Sequence, residues 1–392
     1  MKLILITYKL FKFLIIFLIL DISIFFFIPK DLKTTLYNKR SHKLQSYYYH
    51  HDQRANAVYF DHWGKNKPLI FTNKYGFKES KIGDVTFSQK NILFIGDSLA
   101  EGVGLKYEDT WVGQIAEQLK KSKVTVLNAG LQTYASSIYL AKTYDLIERK
   151  KIPITEVFVM ISVNDIYDDF YRYKGVDKNF RVRHDDENNI VFIKLINFIK
   201  GNTIIYQIIA ELSPPLAFIQ KIKSSFYTIK QSFGKKNQNN LSDESNVREI
   251  QSIQSIQSIL AVSNRNDYKM MYDEKIFNEI GVKSINKSIA YLERLGEFLD
   301  KKNIKLNIIL PRESIFIIKD PIDKNYQYLL NKLSSLKQKN INFIYLNDYY
   351  KNYKDRFDAY RNLFFTNDVH WNKEGNKKIA EELIQKVFKD NY

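Results

Sequence analysis

Residues 91–99 read NILFIGDSL, an apolar run from Ile92 to Ile95 closed by Gly96-Asp97-Ser98-Leu99. A short unbroken run of this kind, stopped by Gly-Asp, fits a strand buried on both faces better than a half-solvated one. Four more stretches repeat the pattern: Val124–Gly130 (VTVLNAG), Glu156–Asp165 (EVFVMISVND), Lys305–Pro311 (KLNIILP) and Asn342–Asp348 (NFIYLND). Between them the apolar period lengthens to that of a helix. Trp111, Ile115 and Leu119 stand four apart in Glu108–Lys121, and Ile285, Ile289, Leu292, Leu295 and Leu299 share one face of Ser284–Lys301. The alternation predicts five strands in a mainly parallel sheet with helices on both sides. Such sheets bind ligands beyond the carboxyl ends of their strands, where Asp97-Ser98, Asn128 and Asn164-Asp165 fall.

Either side of this pattern the chain changes character. Apart from Asp21 and Ser23, every residue from Phe13 to Ile28 is Leu, Ile or Phe, preceded by Lys2, Lys9 and Lys12. On insertion scales the run contributes about −4 to −8 kcal/mol against ~3 kcal/mol for Asp21, so a membrane-spanning helix is expected. No small-residue cleavage motif follows, which favours an uncleaved signal anchor. The basic flanks on both sides blur the orientation; the chemistry below favours a catalytic part on the outer, periplasmic or extracellular face. The expected organisation is a signal anchor over 1–30, a juxtamembrane segment over 31–87, a first domain half over 88–170, a mostly helical insert over 171–280 and a second half over 281–392.

The insert contains Ser213-Pro214-Pro215, a polar GKKNQNN stretch and the triplet repeat QSIQSIQSI from Gln251 to Ile259, which reads as low complexity. Phe218, Ile222, Phe226, Ile229 and Phe233 stand at helical spacing among lysines, a pattern that suits either a membrane surface or a core-packed helix. Hydrophobic residues make up 45% of the 392-residue chain, enough for a large core, and wholesale disorder is excluded. With no Cys, disulfides, thiolate metal sites and cysteine nucleophiles are excluded too. The net charge of +17 comes mostly from Lys in a sequence also rich in Ile, Asn, Phe and Tyr. With no recognised motif beside it, that charge does not indicate nucleic-acid binding.

Ser98 sits on the turn after a buried strand, a place that holds a hydroxyl rigidly toward the crevice; alone it reads first as a helix-capping turn. A hydroxyl needs a base to become a nucleophile, and His370 lies in Asp368-Val369-His370-Trp371-Asn372 near the end of the chain. Asp368 is placed to orient that base, and turn N–H groups and a side-chain amide can stabilise an oxyanion. His50, His51, His62 and His184 lack acids at metal-ligand spacing. Asp165, Asp168 and Asp169 read as solvated loop acids rather than a cation site. Gly102-Val103-Gly104 lacks the third glycine of a dinucleotide fingerprint. No cofactor and no metal is expected.

GDSL at Gly96–Leu99, the asparagine block at Ser162–Asp165 and the late Asp/His block together resemble the SGNH hydrolase superfamily, the GDSL esterases. The resemblance spans about residues 88–170 and 280–388. It implies a flavodoxin-like three-layer α/β/α fold and a serine-dependent ester hydrolase or O-acyl transferase. By it, Ser98 would be the nucleophile, His370 the base and Asp368 its orienting acid, with Ser98, Thr133 and Asn164 lining the oxyanion hole. Thr133 occupies the slot where the family carries glycine, and Asp368 stands one residue closer to His370 than in many members. The implied substrate is an acylated, first of all acetylated, envelope carbohydrate. Two other readings remain open: a lipid esterase, and a degenerate domain that binds or assembles glycans at the membrane.

Overall fold

The structure is a computed structural model, which describes residues 2–29, 42–182, 190–206, 265–319, 324–336 and 341–389. Among the described residues ten strands are formed: β1 (Lys43–Ser46), β2 (His50–Gln53), β3 (Val58–Phe60), β4 (Leu69–Thr72), β5 (Lys78–Glu79), β6 (Lys90–Gly96), β7 (Val124–Asn128), β8 (Glu156–Met160), β9 (Lys305–Pro311) and β10 (Ile341–Leu346). The first two pair as an antiparallel ribbon; the other eight form one sheet in the order β10-β9-β8-β6-β7-β5-β4-β3. All five apolar runs read from the sequence are its parallel strands. Ile92, Leu93, Phe94 and Ile95 are fully buried, as double-faced burial requires. Phe94 is wedged among Trp111, Phe158 and Phe388, with ring centroids 4.9–6.4 Å away.

The helices used below are α1 (Lys2–Phe27), α2 (Ser98–Glu101), α3 (Trp111–Leu119), α4 (Ser136–Tyr144), α5 (Val163–Tyr171), α6 (Ile190–Asn202), α7 (Val282–Asp300), α8 (Lys324–Ser334) and α9 (Lys373–Leu383). Passing from β6 to β7 the chain steps one way across the sheet; from β7 to β8 it steps back over β6. Right-handed crossovers therefore put α3 and α4 on opposite faces. The contacts agree: α3 packs with α9, while α7 packs on α4, α5 and α8. The result is a three-layer α/β/α arrangement whose direction of winding reverses at β6. A ligand crevice belongs at that strand's carboxyl end, where Ser98 stands.

The sheet has eight strands, not the five expected. The additional three, β3 to β5, come from the stretch read as juxtamembrane and extend the sheet antiparallel from β7. They have two to four residues, alternate buried with half-buried positions, and include the charged pair Lys78-Glu79. A sequence search for apolar runs passes over such strands. The turn at Asn73–Gly76 joins β4 to β5. The Asn73 side chain accepts from Tyr75 and Phe77 N–H, and Gly76, at φ +79°, has no room for a Cβ against the Gln53 carbonyl.

The N-terminal stretch is the helix α1, 26 residues long, with Phe11, Phe13, Ile16, Leu20 and Phe27 exposed. Among the described residues no helix is long and apolar enough to cross a membrane. In the insert, the expected amphipathic stretch at 218–233 and the QSI repeat lie outside the described residues. The part that is described includes α6, which packs against β1.

Candidate active site

Gly96 ends β6 where a Cβ would stand 2.6 Å from Ala100 Cβ and 2.7 Å from the Met160 carbonyl, so the chain can turn sharply only with glycine there. Asp97 then caps α2: its carboxylate accepts the Leu99 N–H at 2.9 Å. Gly102, in the left-handed conformation, ends the helix after a single turn. Ser98 is thus the first residue of a short, doubly capped helix. Its N–H is one of those that no acceptor within a helix can reach.

The Ser98 hydroxyl lies 2.8 Å from His370 Nε2, and His370 Nδ1 lies 2.5 Å from Asp368 Oδ1. A carboxylate at Nδ1 keeps the ring proton there, so Nε2 is left as the acceptor for the hydroxyl. The same Asp368 oxygen accepts the His370 backbone N–H at 3.0 Å, and Tyr360 donates to the Asp368 carbonyl at 3.0 Å. The one-residue spacing between acid and base is therefore closed as a tight turn. Burial pushes the Asp368 carboxyl up, but the attraction and hydrogen bonds of His370 outweigh it and hold it below the usual 3.8. Asp368 is therefore ionised at neutral pH.

Asn164 is the second residue of α5, beyond the end of β8. Its Oδ1 accepts from Ser162 Oγ at 2.7 Å, and its Nδ2 donates to Asp97 Oδ2 at 3.1 Å, with a weaker bond to Asp165 at 3.3 Å. Asp97 Oδ2 is also 3.3 Å from Ser98 Oγ, so amide and hydroxyl flank one carboxylate oxygen. The amide turned onto Asp97 must swing away before it can donate to an oxyanion.

Thr133 lies on a loop pressed against the nucleophile's helix. Leu131 N–H donates to the Gly96 carbonyl at 3.1 Å, Gln132 N–H donates to Glu101 at 2.9 Å, and a Cβ on Gly130 would stand 2.7 Å from the Ala100 backbone. Thr133 itself has φ +65°, a left-handed conformation that costs a residue with a side chain about 1–2 kcal/mol. The strand ribbon opposes that strain, with His51 Nε2 2.9 Å from the Gln132 carbonyl and Lys43 Nζ 3.3 Å from Thr133 Oγ1; Tyr173, just past α5, donates to the Thr133 carbonyl. Burial drives the His51 ring well below its usual pKa, so it acts there as a neutral donor.

The acids after β8 are not solvated loop residues. Asp165 and Asp169 lie fully buried on α5. Asp165 accepts from Tyr139 and from Ser162 N–H, Asp169 from the Ser136 and Ser137 N–H groups and the Ser288 hydroxyl. The capping box Ser162–Asp165 at the start of α5 turns Asp165 inward. Among the described residues no group of three acids and histidines is arranged to hold a metal. His62 is exposed, His51 is buried, and His184 lies outside the described residues.

Two residues at the site have parts that the sequence did not assign them. Asp97 ties together Ser98, Asn164 and the helix cap, yet reads as an ordinary turn residue. Trp63, on the β3–β4 loop, has its ring centroid 4.8 Å from that of His370 at 83°.

No protein-family model matches the chain, and no curated protein matches it in sequence. Among solved structures it is similar to the psychrotrophic esterase EstA from Pseudoalteromonas sp., at 12% identity, covering 77% of this chain and 98% of that one with a TM-score of 0.38. TesA matches at 10% identity over 76% and 97%, TM-score 0.38. A catalytic mutant of Axe2, an acetylxylan esterase from Geobacillus stearothermophilus, matches at 12% over 76% and 94%, TM-score 0.37. At such values the likeness decides nothing about activity, and the weight falls on the site's own geometry.

Proposed function

We propose that this chain is an SGNH-type serine ester hydrolase or O-acyl transferase, with Ser98 as nucleophile. The observation that carries the reading is the unbroken hydrogen-bonded chain Asp368–His370–Ser98 at the carboxyl end of β6. His370 Nε2 takes the Ser98 proton as Oγ attacks an ester carbonyl. The charge on the imidazolium is balanced by Asp368. Donors for the tetrahedral oxyanion are the Ser98 N–H, the Thr133 N–H and, once released from Asp97, the Asn164 amide. His370 then returns the proton to the leaving alcohol, and water or a second hydroxyl takes the acyl group from Ser98.

The substrate we propose is an acetylated carbohydrate of the cell envelope, with the exposed apolar side chains of α1 holding the chain to the membrane and the catalytic part on the outer face. The exposed phenylalanine and leucine side chains of α1 support an apolar environment for that helix. The test is turnover of p-nitrophenyl acetate by the full chain in detergent, beside Ser98→Ala. Turnover lost in the variant supports the reading, and equal turnover in both overturns it. Extraction of the native chain from membranes only by detergent supports the anchor; recovery in the soluble fraction overturns it.

A further inference from the structure

Trp63 comes from the segment outside the parallel domain, yet its ring lies against the proposed base. The loop that carries it is closed on itself: Trp63 and Asn66 exchange backbone hydrogen bonds at 2.9 Å, and Asp61 N–H donates to the Pro68 carbonyl at 3.0 Å. It is also fastened to the nucleophile's side of the site. Asp61, buried at 1% exposure, accepts the Gly104 N–H at 2.9 Å. Gly104 has φ +72°, and a Cβ there would stand 2.8 Å from Trp63 Cβ. The indole thus fills the space between Gly104 and His370.

His370 is held in its ring plane by Asp368 at one nitrogen and Ser98 at the other. The side chain is 15% exposed, and the His370 carbonyl accepts the Phe365 N–H at 3.0 Å. In-plane bonds resist sliding; they resist tilting much less. A ring set at 83° to the imidazole closes that remaining freedom. We propose that Trp63 is a positioning residue for His370, delivered to the site by the antiparallel strands β3 and β4. The proposal rests on the serine-hydrolase reading for its kinetic consequence, though the ring contact itself is tested separately.

The experiment uses the full chain in detergent, with Trp63→Leu, Trp63→Phe and His370→Gln. Leucine keeps apolar volume without the flat ring; phenylalanine keeps the ring. On p-nitrophenyl acetate, Trp63→Leu should lower kcat about tenfold with KM within about twofold, as expected for a misplaced reacting group. Trp63→Phe should recover most of that loss. A kcat for Trp63→Leu within twofold of the parent, or Trp63→Phe no better than Trp63→Leu, overturns the proposal. A protonated imidazole quenches a neighbouring indole, so tryptophan fluorescence of the parent should show a pH step absent from both Trp63→Phe and His370→Gln. A parent with no such step, or a step that survives in Trp63→Phe, overturns the contact even should Trp63→Leu fail to fold. A parent that shows the step but no Ser98-dependent turnover contradicts the hydrolase reading and leaves the contact standing.

Discussion

Ser98, His370 and Asp368 meet because a capped turn and a closed acid–base turn are brought to one strand end, and each side chain then has one job. Asp368→Asn removes the negative charge opposite the imidazolium and frees the ring to adopt the other tautomer. We expect kcat on p-nitrophenyl acetate to fall roughly 10²–10⁴-fold. A loss below tenfold would place the orienting role elsewhere, with Asn367 the neighbouring alternative. Glu313, buried at 3% exposure behind the site, makes a different prediction. Burial raises its carboxyl, as does the nearby Asp97, while the Val163 N–H and Tyr268 hydroxyl pull it down; the balance is about 8. The folded protein therefore holds a proton that the unfolded chain releases near 4.5, and stability falls as pH rises through that window. Glu313→Gln, which keeps an acceptor for Val163, should flatten that decline, an effect of a few kcal/mol by pH 8. Melting temperatures of parent and variant from pH 5 to 9 check it; parallel curves would refute it.

At the scale of elements, the β1–β2 ribbon is fastened to the parallel domain by a buried ion pair. Lys142 on α4, almost fully enclosed, bonds Asp52 of β2 at 2.9 Å and the Tyr134 hydroxyl at 3.0 Å, beside the rings of Tyr49 and Phe77. Removing one partner strands the other charge, so Asp52→Ala should cost about 3–5 kcal/mol in denaturant unfolding. Adding Lys142→Met should recover most of it; a double variant as unstable as the single one would refute the pairing. This contact shows where the sequence stopped being informative. The apolar runs at Ile92, Val126, Val157, Ile308 and Ile344 announce strands by themselves; all but β10, a half-buried edge strand, are buried over most of their length on both faces. β3 to β5 are short and half-buried, and tertiary partners fix their place: Lys78 of β5 donates to the Gly102 carbonyl, and Asp61, next to β3, accepts the Gly104 N–H. Local pattern carries no trace of those partners.

Across the whole molecule, order along the chain was the legible signal. A strand-end serine, a strand-end asparagine and a late Asp/His block each stand at the end of an element, so their approach follows from parallel topology. The Thr133 loop and the Trp63 contact were not legible. Both depend on the N-terminal strands folding back over the site, as His51 and Lys43 do at Gln132 and Thr133. Thr133→Gly tests that arrangement at the level of the global fold. It relieves the left-handed strain and leaves the N–H in place, so activity should persist within about threefold and stability rise by up to about 1 kcal/mol. A large loss of activity would show that the threonine side chain itself is needed. The most direct test of the central claim is labelling of the full chain with a fluorophosphonate, followed by peptide mass mapping. A nucleophile at Ser98 activated by His370 gives a single adduct on Ser98 that disappears in His370→Gln; no adduct, or one on another serine, would contradict that assignment.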